Sequence, residues 1–257
     1  MIASERYEKI VEMVDAQGIK NTKELAQILN VTEMTIRRDC EELEKQGKLI
    51  RVRGGAKSIK KKPVVSDIDD KKVNDRTEFY EEKDLVCQKA ASFIKEGDCI
   101  FLDGGTSLFP ILKYLTGKRV KIVTNSINIA NMFQDDSSEL FLIGGKYLPK
   151  YNMSVGPIAL EILNMFNFDY AFISCAGIDV EKNYVSSSEV ETPAIKTKAM
   201  EMASKKYLLI DSSKFDVKGF YSFSSCDKFD AIICNDDTSI DKENVSENFI
   251  FVKKEKK

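Results

Sequence analysis

The chain has 257 residues, of which 43% are hydrophobic and 31% are charged, and its formal net charge at pH 7 is −2. This is the composition of an ordinary globular protein, long enough for a small domain of about 60 residues and a larger one. The absence of histidine excludes Ser-His-Asp chemistry and histidine-ligated metal sites. No apolar run approaches the roughly 18 residues that span a bilayer, and no leader pattern opens the chain, so we expect a cytoplasmic protein without membrane contact.

The six cysteines show no CxxC or other metal-ligand spacing, and most stand in apolar segments. Reduced, buried thiols are the expected interpretation. We predict no metal and no cofactor.

The first 56 residues predict three helices and a hairpin. Residues 4–17 place apolar side chains at helical spacing, and residues 22–30 place Leu25, Ile28 and Leu29 on one face, as the first helix of a helix-turn-helix does. In the next helix Thr32 is the N-cap, Ile36, Cys40 and Leu43 form the buried stripe, and Gly47 ends the run.

The exposed face of this third helix carries the residues that we expect to meet DNA. Met34 and Arg38 lie opposite the buried stripe, with Thr35 and Arg37 beside them. Residues 49–53 then alternate apolar and cationic side chains before Gly54 and Gly55, which predicts a short strand pair that presents Arg51 and Arg53. Most amphipathic helices that end at glycine do not contact nucleic acid. The local excess of positive charge favours the DNA interpretation.

The positive charge is local. Residues 33–62 contain ten Lys or Arg against five Asp or Glu, whereas residues 1–32 contain four against five. Residues 63–257 contain 25 basic and 31 acidic side chains. Only the N-terminal part is therefore expected to attract a polyanion.

Residues 57–75 are polar and have no hydrophobic period, which predicts a linker between a domain of residues 1–56 and one of residues 76–257. In the second domain, short apolar strands alternate with helices. The predicted helices are 76–96, 108–115, 127–133, 157–166 and 190–205, and the predicted strands are 99–102, 121–124, 140–143, 171–174, 207–210, 231–234 and 249–252. This alternation predicts an α/β domain with a doubly wound, mainly parallel sheet, which binds ligands beyond the carboxyl ends of its strands.

Polar and glycine residues follow several of these strands. The first is followed by Asp103, Gly104, Gly105, Thr106 and Ser107, which suit a phosphate because glycines let the backbone approach and a helix begins there. A glycine-rich turn of this kind is also a common tight connection. We expect hydrogen-bond acceptors for sugar hydroxyls at Asp103 and Asp179, and cations for a phosphate at Lys146, Lys150 and Lys214.

The segment TIRRDCEELEKQGKLIRVRGGA resembles the signature of the DeoR family of bacterial transcriptional regulators, whose N-terminal domain is a winged helix-turn-helix. Family members often have histidine before the paired glycines of the wing, and Arg53 stands there in this chain. Arginine keeps a donor and is permanently charged.

The later segments LDGGTS, IVTNS, LIGG, SVGP, CAGID and LIDSSKF resemble the effector domain of the same family, which is related in fold to sugar-phosphate isomerases. The resemblance implies that residues 103–107 form a phosphate and sugar loop. It also implies a ligand contact at Lys214, a contact at the acidic Glu191, and further pocket walls, which comprise Thr124, Asn125, Ser126, Gly177 and Asp179. The family loop usually reads Asp-Ser-Gly-Thr-Thr, so Gly104 and Ser107 are departures at the pocket rim.

We therefore expect a transcription factor, a repressor of a sugar-utilisation operon, that binds operator DNA and a phosphorylated sugar and works as a dimer or tetramer. One alternative is a sugar-phosphate isomerase or deaminase with an accessory DNA-binding domain. The chain shows no clear acid and base pair for it. A nonspecific DNA-packaging protein is a further alternative, but it needs no elaborate pocket.

Overall fold

The computed structural model describes residues 2–17, 19–52, 54–59, 73, 78–237, 240, 242 and 245–254. The chain divides into two compact units, the first formed by residues 1–63 with 237–242 and the second by the remaining residues. No helix within the described ranges has the length and apolar character needed to cross a membrane.

The N-terminal unit contains three helices and a three-stranded antiparallel sheet. The helices are α1 (Ala3–Gln17), α2 (Thr22–Leu29) and α3 (Glu33–Lys45), and the strands are β1 (Ile19–Asn21), β2 (Leu49–Val52) and β3 (Gly55–Ser58), in the order β1-β3-β2. Side chains from all three helices meet in one apolar core, which includes Ile10, Leu25, Ile36 and Leu43. This arrangement is a winged helix-turn-helix, as the sequence predicted.

Local chemistry sets the ends of α2 and α3. The Asn21 side chain accepts hydrogen bonds from two backbone amides at the start of α2, and the Thr32 side chain accepts one from the Thr35 amide at the start of α3. At the end of α3, Gly47 has φ 66°, its amide bonds to the Glu44 carbonyl, and the Lys48 amide bonds to the Leu43 carbonyl. This pair of bonds is a Schellman ending, which requires the left-handed residue that glycine supplies.

The C-terminal unit is built on a seven-stranded sheet in which every pairing is parallel. Its strands are β4 (Cys99–Leu102), β5 (Lys121–Thr124), β6 (Glu139–Leu142), β9 (Phe168–Ile173), β12 (Ala203–Ile210), β14 (Ala231–Asn235) and β15 (Phe249–Val252), in the order β15-β14-β12-β9-β4-β5-β6. Consecutive residues of the central strands are buried, so both faces of the sheet are covered.

The strand order contains one reversal. The chain runs outward from β4 through β5 to β6, and then returns to β9 and runs outward in the opposite direction through β12 to β15. The carboxyl ends of β4 and β9 are therefore adjacent at the topological switch point of a doubly wound sheet, where such folds bind ligands.

Helices and two small antiparallel sheets surround the main sheet. The helices are α4 (Tyr80–Ala91), α5 (Ile127–Met132), α6 (Pro157–Leu163) and α7 (Thr192–Glu201), and a 3-10 helix covers Thr106–Tyr114. One small sheet pairs β7 (Lys146–Leu148) with β8 (Met153–Val155), and the other contains β10 (Gly177–Asp179), β11 (Tyr184–Ser187) and β13 (Tyr221–Ser224).

The structure corrects several predicted elements. The segment predicted as a helix over 108–115 is a 3-10 helix with Pro110 inside it, because proline offers no amide for α-helical bonding. The helix predicted over 190–205 ends at Glu201, and residues 203–205 begin β12, since β9 pairs with Ala203 and Lys205. Strand β1 and the two small sheets were not predicted from the sequence.

Candidate nucleic-acid interface and ligand pocket

The outer face of α3 carries the cationic side chains predicted to read DNA. Arg37 and Arg38 are exposed, and neither guanidinium forms an ion pair or hydrogen bond with another described residue. Met34 is 58% exposed on the same helix. The hydroxyls of Thr32 and Thr35 lie 2.9 Å apart, and Thr32 Oγ1 also accepts from the Thr35 amide as the N-cap, so these bonds fix the first turn of the helix.

A partly buried ion pair holds this helix to α1. The guanidinium of Arg6 donates to both carboxylate oxygens of Asp39, with Nη2 to Oδ1 at 3.0 Å, and Asp39 is 4% exposed. Because Asp39 follows Arg37 and Arg38 directly, the bond fixes the rotation of the helix that presents them. A bidentate arginine bond of this kind is geometrically specific.

The wing presents Arg51, which lies 3.8 Å from Glu41 and 3.9 Å from Glu44 on α3. These are exposed ion pairs of small energy, so a phosphate can compete for the guanidinium. Arg53 lies outside the described residues. Gly55 packs closely on the backbone of β1, where an added Cβ would overlap the Lys20 carbonyl.

A pocket lies at the switch point of the large sheet. Its wall includes the loop after β4, the loop after β9, the end of β12, and residues of α4, β8 and α7. Of the predicted ligand residues, the structure brings five to this pocket, which are Gly104, Gly105, Thr106, Ser107 and Lys214.

A buried polar network joins the ends of β4 and β9 beside the pocket. Asp103 is 0% exposed, and its Oδ2 accepts hydrogen bonds from the Ser174 amide at 3.0 Å, from the Ser174 hydroxyl and from the Lys196 ammonium. Lys196 is 4% exposed and also donates to the Ser174 carbonyl at 3.1 Å. An added Cβ on Gly105 would overlap the Ser174 side chain, so the glycine permits this approach.

Asp211 brings a second carboxylate to the pocket. It is 0% exposed, and its Oδ1 accepts from the Ser213 amide at 3.0 Å. Its Oδ2 has no hydrogen-bond partner among the described residues. A buried carboxylate oxygen without a partner is costly, and a ligand hydroxyl would satisfy it.

Cationic and thiol groups complete the wall. The Lys83 ammonium donates to Thr106 Oγ1 at 3.1 Å. Burial raises the pKa of the Cys175 thiol to about 12, while the ammonium groups of Lys214 and Lys196 act in the opposite direction. The thiol is therefore protonated at neutral pH, and it lies near two positive charges.

Other predicted ligand residues lie elsewhere. Thr124, Asn125 and Ser126 are fully buried and serve the fold: Thr124 Oγ1 donates to the Leu102 carbonyl, and Ser126 Oγ accepts from the Ile129 amide at the start of α5. Asn125 Nδ2 donates to the Ser154 carbonyl at 2.9 Å, so this loop positions β8, which contributes to the pocket.

The remaining predicted positions are outside the pocket wall. Glu191 forms an ion pair of 2.7 Å with Lys146, and Asp179 accepts from the Lys182 amide at 3.0 Å. Gly177 packs against the Val217 backbone. The side chain at 150 does not contribute to the wall, whereas its neighbour Tyr151 does.

Several lining residues were not predicted from the sequence. Lys196 is the clearest case, because a lysine inside a helical segment is normally solvated, and its partner Asp103 is 93 positions away. Ser174 and Asp211 follow strands β9 and β12 directly. Their position at strand carboxyl ends was a signal that could have identified them.

Comparison with known proteins agrees with this organisation. Residues 6–62 match the DeoR-like helix-turn-helix domain, and residues 78–236 match the DeoR C terminal sensor domain. The fold and the pocket thus define a transcriptional regulator with a DNA-binding unit and a sensor unit. The chain belongs to the DeoR family.

Curated relatives match over nearly the whole chain. The lactose phosphotransferase system repressor of Streptococcus mutans is 32% identical over 251 residues, which cover 94% of this chain and 96% of the relative. An uncharacterized HTH-type transcriptional regulator of Bacillus subtilis, YulB, is 32% identical and covers 95% and 93%. The L-fucose operon activator of Haemophilus influenzae is 32% identical and covers 88% and 90%.

Solved structures give weaker similarities. Ribose 5-phosphate isomerase A from Neisseria gonorrhoeae aligns with a TM-score of 0.36 and 15% identity over 52% of each chain. The beta subunit of eIF2B from Chaetomium thermophilum aligns with a TM-score of 0.41 and 10% identity over 60% of this chain and 48% of that one. Similarities at this level transfer no site and no activity to this chain.

Proposed function

We propose that the protein represses a sugar-utilisation operon, that it binds operator DNA through α3 and the wing, and that a phosphorylated sugar in the sensor pocket changes this binding. The observation that carries the proposal is the pocket at the sheet reversal, where the Gly104–Ser107 loop, cationic side chains and the unpartnered Asp211 oxygen occur together. The names of the relatives, which include lactose repressors, support the sugar class.

The two ends of such a ligand need opposite chemistry, and the pocket offers both. A phosphate needs hydroxyl donors, close backbone and positive charge, which Thr106, Ser107 and Lys214 supply. A sugar hydroxyl needs a buried acceptor, which Asp211 supplies. We place the phosphate against the glycine loop and the sugar toward the end of β12.

For DNA, we expect Thr35, Arg37 and Arg38 to enter the major groove and Arg51 and Arg53 to meet the phosphate backbone or the minor groove. One small DNA-binding domain buries too little surface for tight specific binding, so we propose a dimer or tetramer in the cytoplasm. Ligand binding then shifts the population of oligomers between arrangements that differ in the spacing of their DNA-binding domains. We propose that the DNA-binding domain runs to Ser58, instead of the expected 1–56 with a linker of 57–75, because β3 pairs with β1 and β2, and we keep the sensor domain at 76–257.

The DNA-binding part is tested by Arg38→Ala. We expect operator binding to weaken by about 1–3 kcal/mol at fixed salt, because a base contact is lost. Arg119→Ala is the matched control, since Arg119 is 72% exposed in the sensor unit and the substitution removes the same charge. Fluorescence anisotropy with operator and random duplexes measures both. Equal operator affinity for Arg38→Ala and the wild type would refute the assignment of this helix face.

The sensor part is tested by titrating a panel of sugar phosphates into the protein bound to operator DNA. We expect one compound to change operator affinity, and Lys214→Ala to reduce that response. Lys218→Ala is the control, because Lys218 is exposed, four positions away and outside the pocket wall. Turnover of any compound of the panel would instead favour an isomerase or deaminase, in which this pocket is catalytic.

A further inference from the structure

The pocket is small for the ligand class proposed above. Its volume is about 80 Å³. One bound water requires roughly 10–15 Å³ of such space, so the cavity holds on the order of six water-sized atoms. The pocket is open to solvent on one side, so part of a phosphorylated sugar can project out of it, and the lining side chains that can move decide how large a ligand the pocket admits.

Most polar lining groups are fixed by hydrogen bonds. Ser174 and Lys196 are held by Asp103, and Asp211 is held by Ser213. The Tyr151 hydroxyl lies 3.1 Å from Ser188 Oγ. Moving any of these would break a bond inside the protein.

The side chain of Met153 is not held in place by a hydrogen bond within the described residues. It lines the pocket, is 4% exposed, and has an unbranched side chain that packs without hydrogen bonds. Three rotatable bonds and a polarisable thioether let methionine adopt several shapes at small cost. Among the described lining residues, Met153 is therefore the buried side chain that a ligand can displace most easily.

The glycine loop makes room for this side chain. A Cβ on Gly104 would lie 2.5 Å from Cε of Met153 and 2.8 Å from its Cγ and Sδ. The thioether thus rests directly on the Gly104 backbone, inside the loop that we assign to the phosphate. Any side chain at position 104 would push Met153 away from its present position.

The backbone of Met153 is fixed, so the adjustment is confined to the side chain. Met153 pairs with Leu148 in the β7–β8 ladder. The next residue, Ser154, exchanges two bonds with Asn125: its amide donates to the Asn125 carbonyl at 2.8 Å, and its carbonyl accepts from Asn125 Nδ2 at 2.9 Å.

We infer that Met153 is a specificity-determining residue of the sensor pocket: its side chain, seated on Gly104, limits the size of the phosphorylated sugar that the pocket admits. The inference rests on the proposed function, because it concerns the same pocket. Small phosphorylated ligands bind beside the thioether, and larger ones must displace it.

The test compares Met153→Ala with Met153→Leu, which conserves volume. Isothermal titration calorimetry measures binding of glyceraldehyde 3-phosphate, ribose 5-phosphate and glucose 6-phosphate to the full chain. For Met153→Ala, we expect the ratio of hexose to triose affinity to rise at least about tenfold. Met153→Leu should keep the ratio of the wild type.

A double-mutant cycle measures how much of the effect of Gly104→Ala on ligand affinity depends on the Met153 side chain. Gly104→Ala forces Met153 to shift, so we expect ligand affinity to fall roughly fivefold to a hundredfold, as for an overpacked site. In Gly104→Ala/Met153→Ala, this loss should disappear. Gly144→Ala is the control, because an added Cβ there meets no atom within 4 Å.

The outcomes distinguish the two proposals. If the wild type binds a sugar phosphate and Met153→Ala leaves the size ratio unchanged or shifts it toward the triose, this inference is overturned and the proposed function stands. If neither the wild type nor Met153→Ala binds any of the three compounds, the sugar-phosphate proposal and this inference both fail.

Discussion

Replacing Lys196 by methionine should destabilise the sensor unit strongly, although the two side chains are similar in length. The Lys196 ammonium is buried and donates to Asp103 Oδ2, to the Ser174 carbonyl at 3.1 Å and to the Ser174 hydroxyl at 3.2 Å. Without it, the Asp103 carboxylate stays 0% exposed beside an apolar thioether, with Ser174 as its remaining partner.

The size of the effect follows from the burial of both charges. The side chains of Lys196 and Asp103 are 5% and 1% exposed. Breaking a buried pair by removing one partner costs about 3–5 kcal/mol, because it leaves an uncompensated charge. In a unit of this size each kcal/mol shifts the melting temperature by about 2–4 °C, so we expect a decrease of roughly 6–20 °C.

Differential scanning calorimetry of the full chain measures this decrease. Lys205→Met is the matched control, since it removes the same charge from an exposed ion pair with Asp230, and we expect it to change the melting temperature little. Asp103→Asn/Lys196→Met removes both charges and should recover much of the lost stability. If Lys196→Met and Lys205→Met melt alike, Lys196 is not the buried partner of Asp103.

One further substitution and one chemical labelling reaction test other parts of the structure. Gly55→Ala should lower the free energy of unfolding of the winged unit by about 1–3 kcal/mol in urea unfolding, because the added Cβ would overlap the Lys20 carbonyl on β1. Backbone atoms cannot move aside as a flexible side chain does. A change no larger than that of Gly144→Ala would contradict this packing. Burial raises the pKa of the thiols of Cys40 and Cys226 to about 11 and that of Cys175 to about 12, so their thiolate fractions at pH 7.5 are very small. Mass spectrometry should therefore find slow iodoacetamide labelling of these three residues in the native protein and fast labelling after unfolding, and fast native labelling of Cys175 would show that the thiol is activated.

The strands were the most predictable part of the fold. The predicted limits of β4, β5 and β15 agree with the structure, because each is a short segment that contains a run of consecutive apolar residues. The start of β12 was missed. Its residues Ala203 to Lys206 are polar at three of four positions, and they become a strand only because β9 lies beside them.

The predicted ligand residues and the wall of the pocket coincide only in part. Strand carboxyl ends identified the glycine loop and the segment of Lys214, since parallel topology brings such ends to one edge. The same rule also selected Thr124, Asn125 and Ser126, whose polar groups form hydrogen bonds with neighbouring backbone and lie outside the pocket wall. Polar residues at a strand end serve either a ligand or the fold, and local sequence does not distinguish the two uses.

The pocket divides into a fixed polar side and an adjustable apolar wall, and this division bears on how one fold can sense different ligands. The Asp103–Lys196–Ser174 network holds the polar side in place before any ligand arrives, which lowers the ordering cost of binding. The contact between Met153 and Gly104 involves one flexible side chain and one residue without a side chain. Substitution at these two positions changes the shape of the pocket without breaking a hydrogen bond. Ligand size can therefore change while the sheet, the polar network and the helix-turn-helix unit stay the same, which is the expected pattern where function resides in sites carried by a common fold.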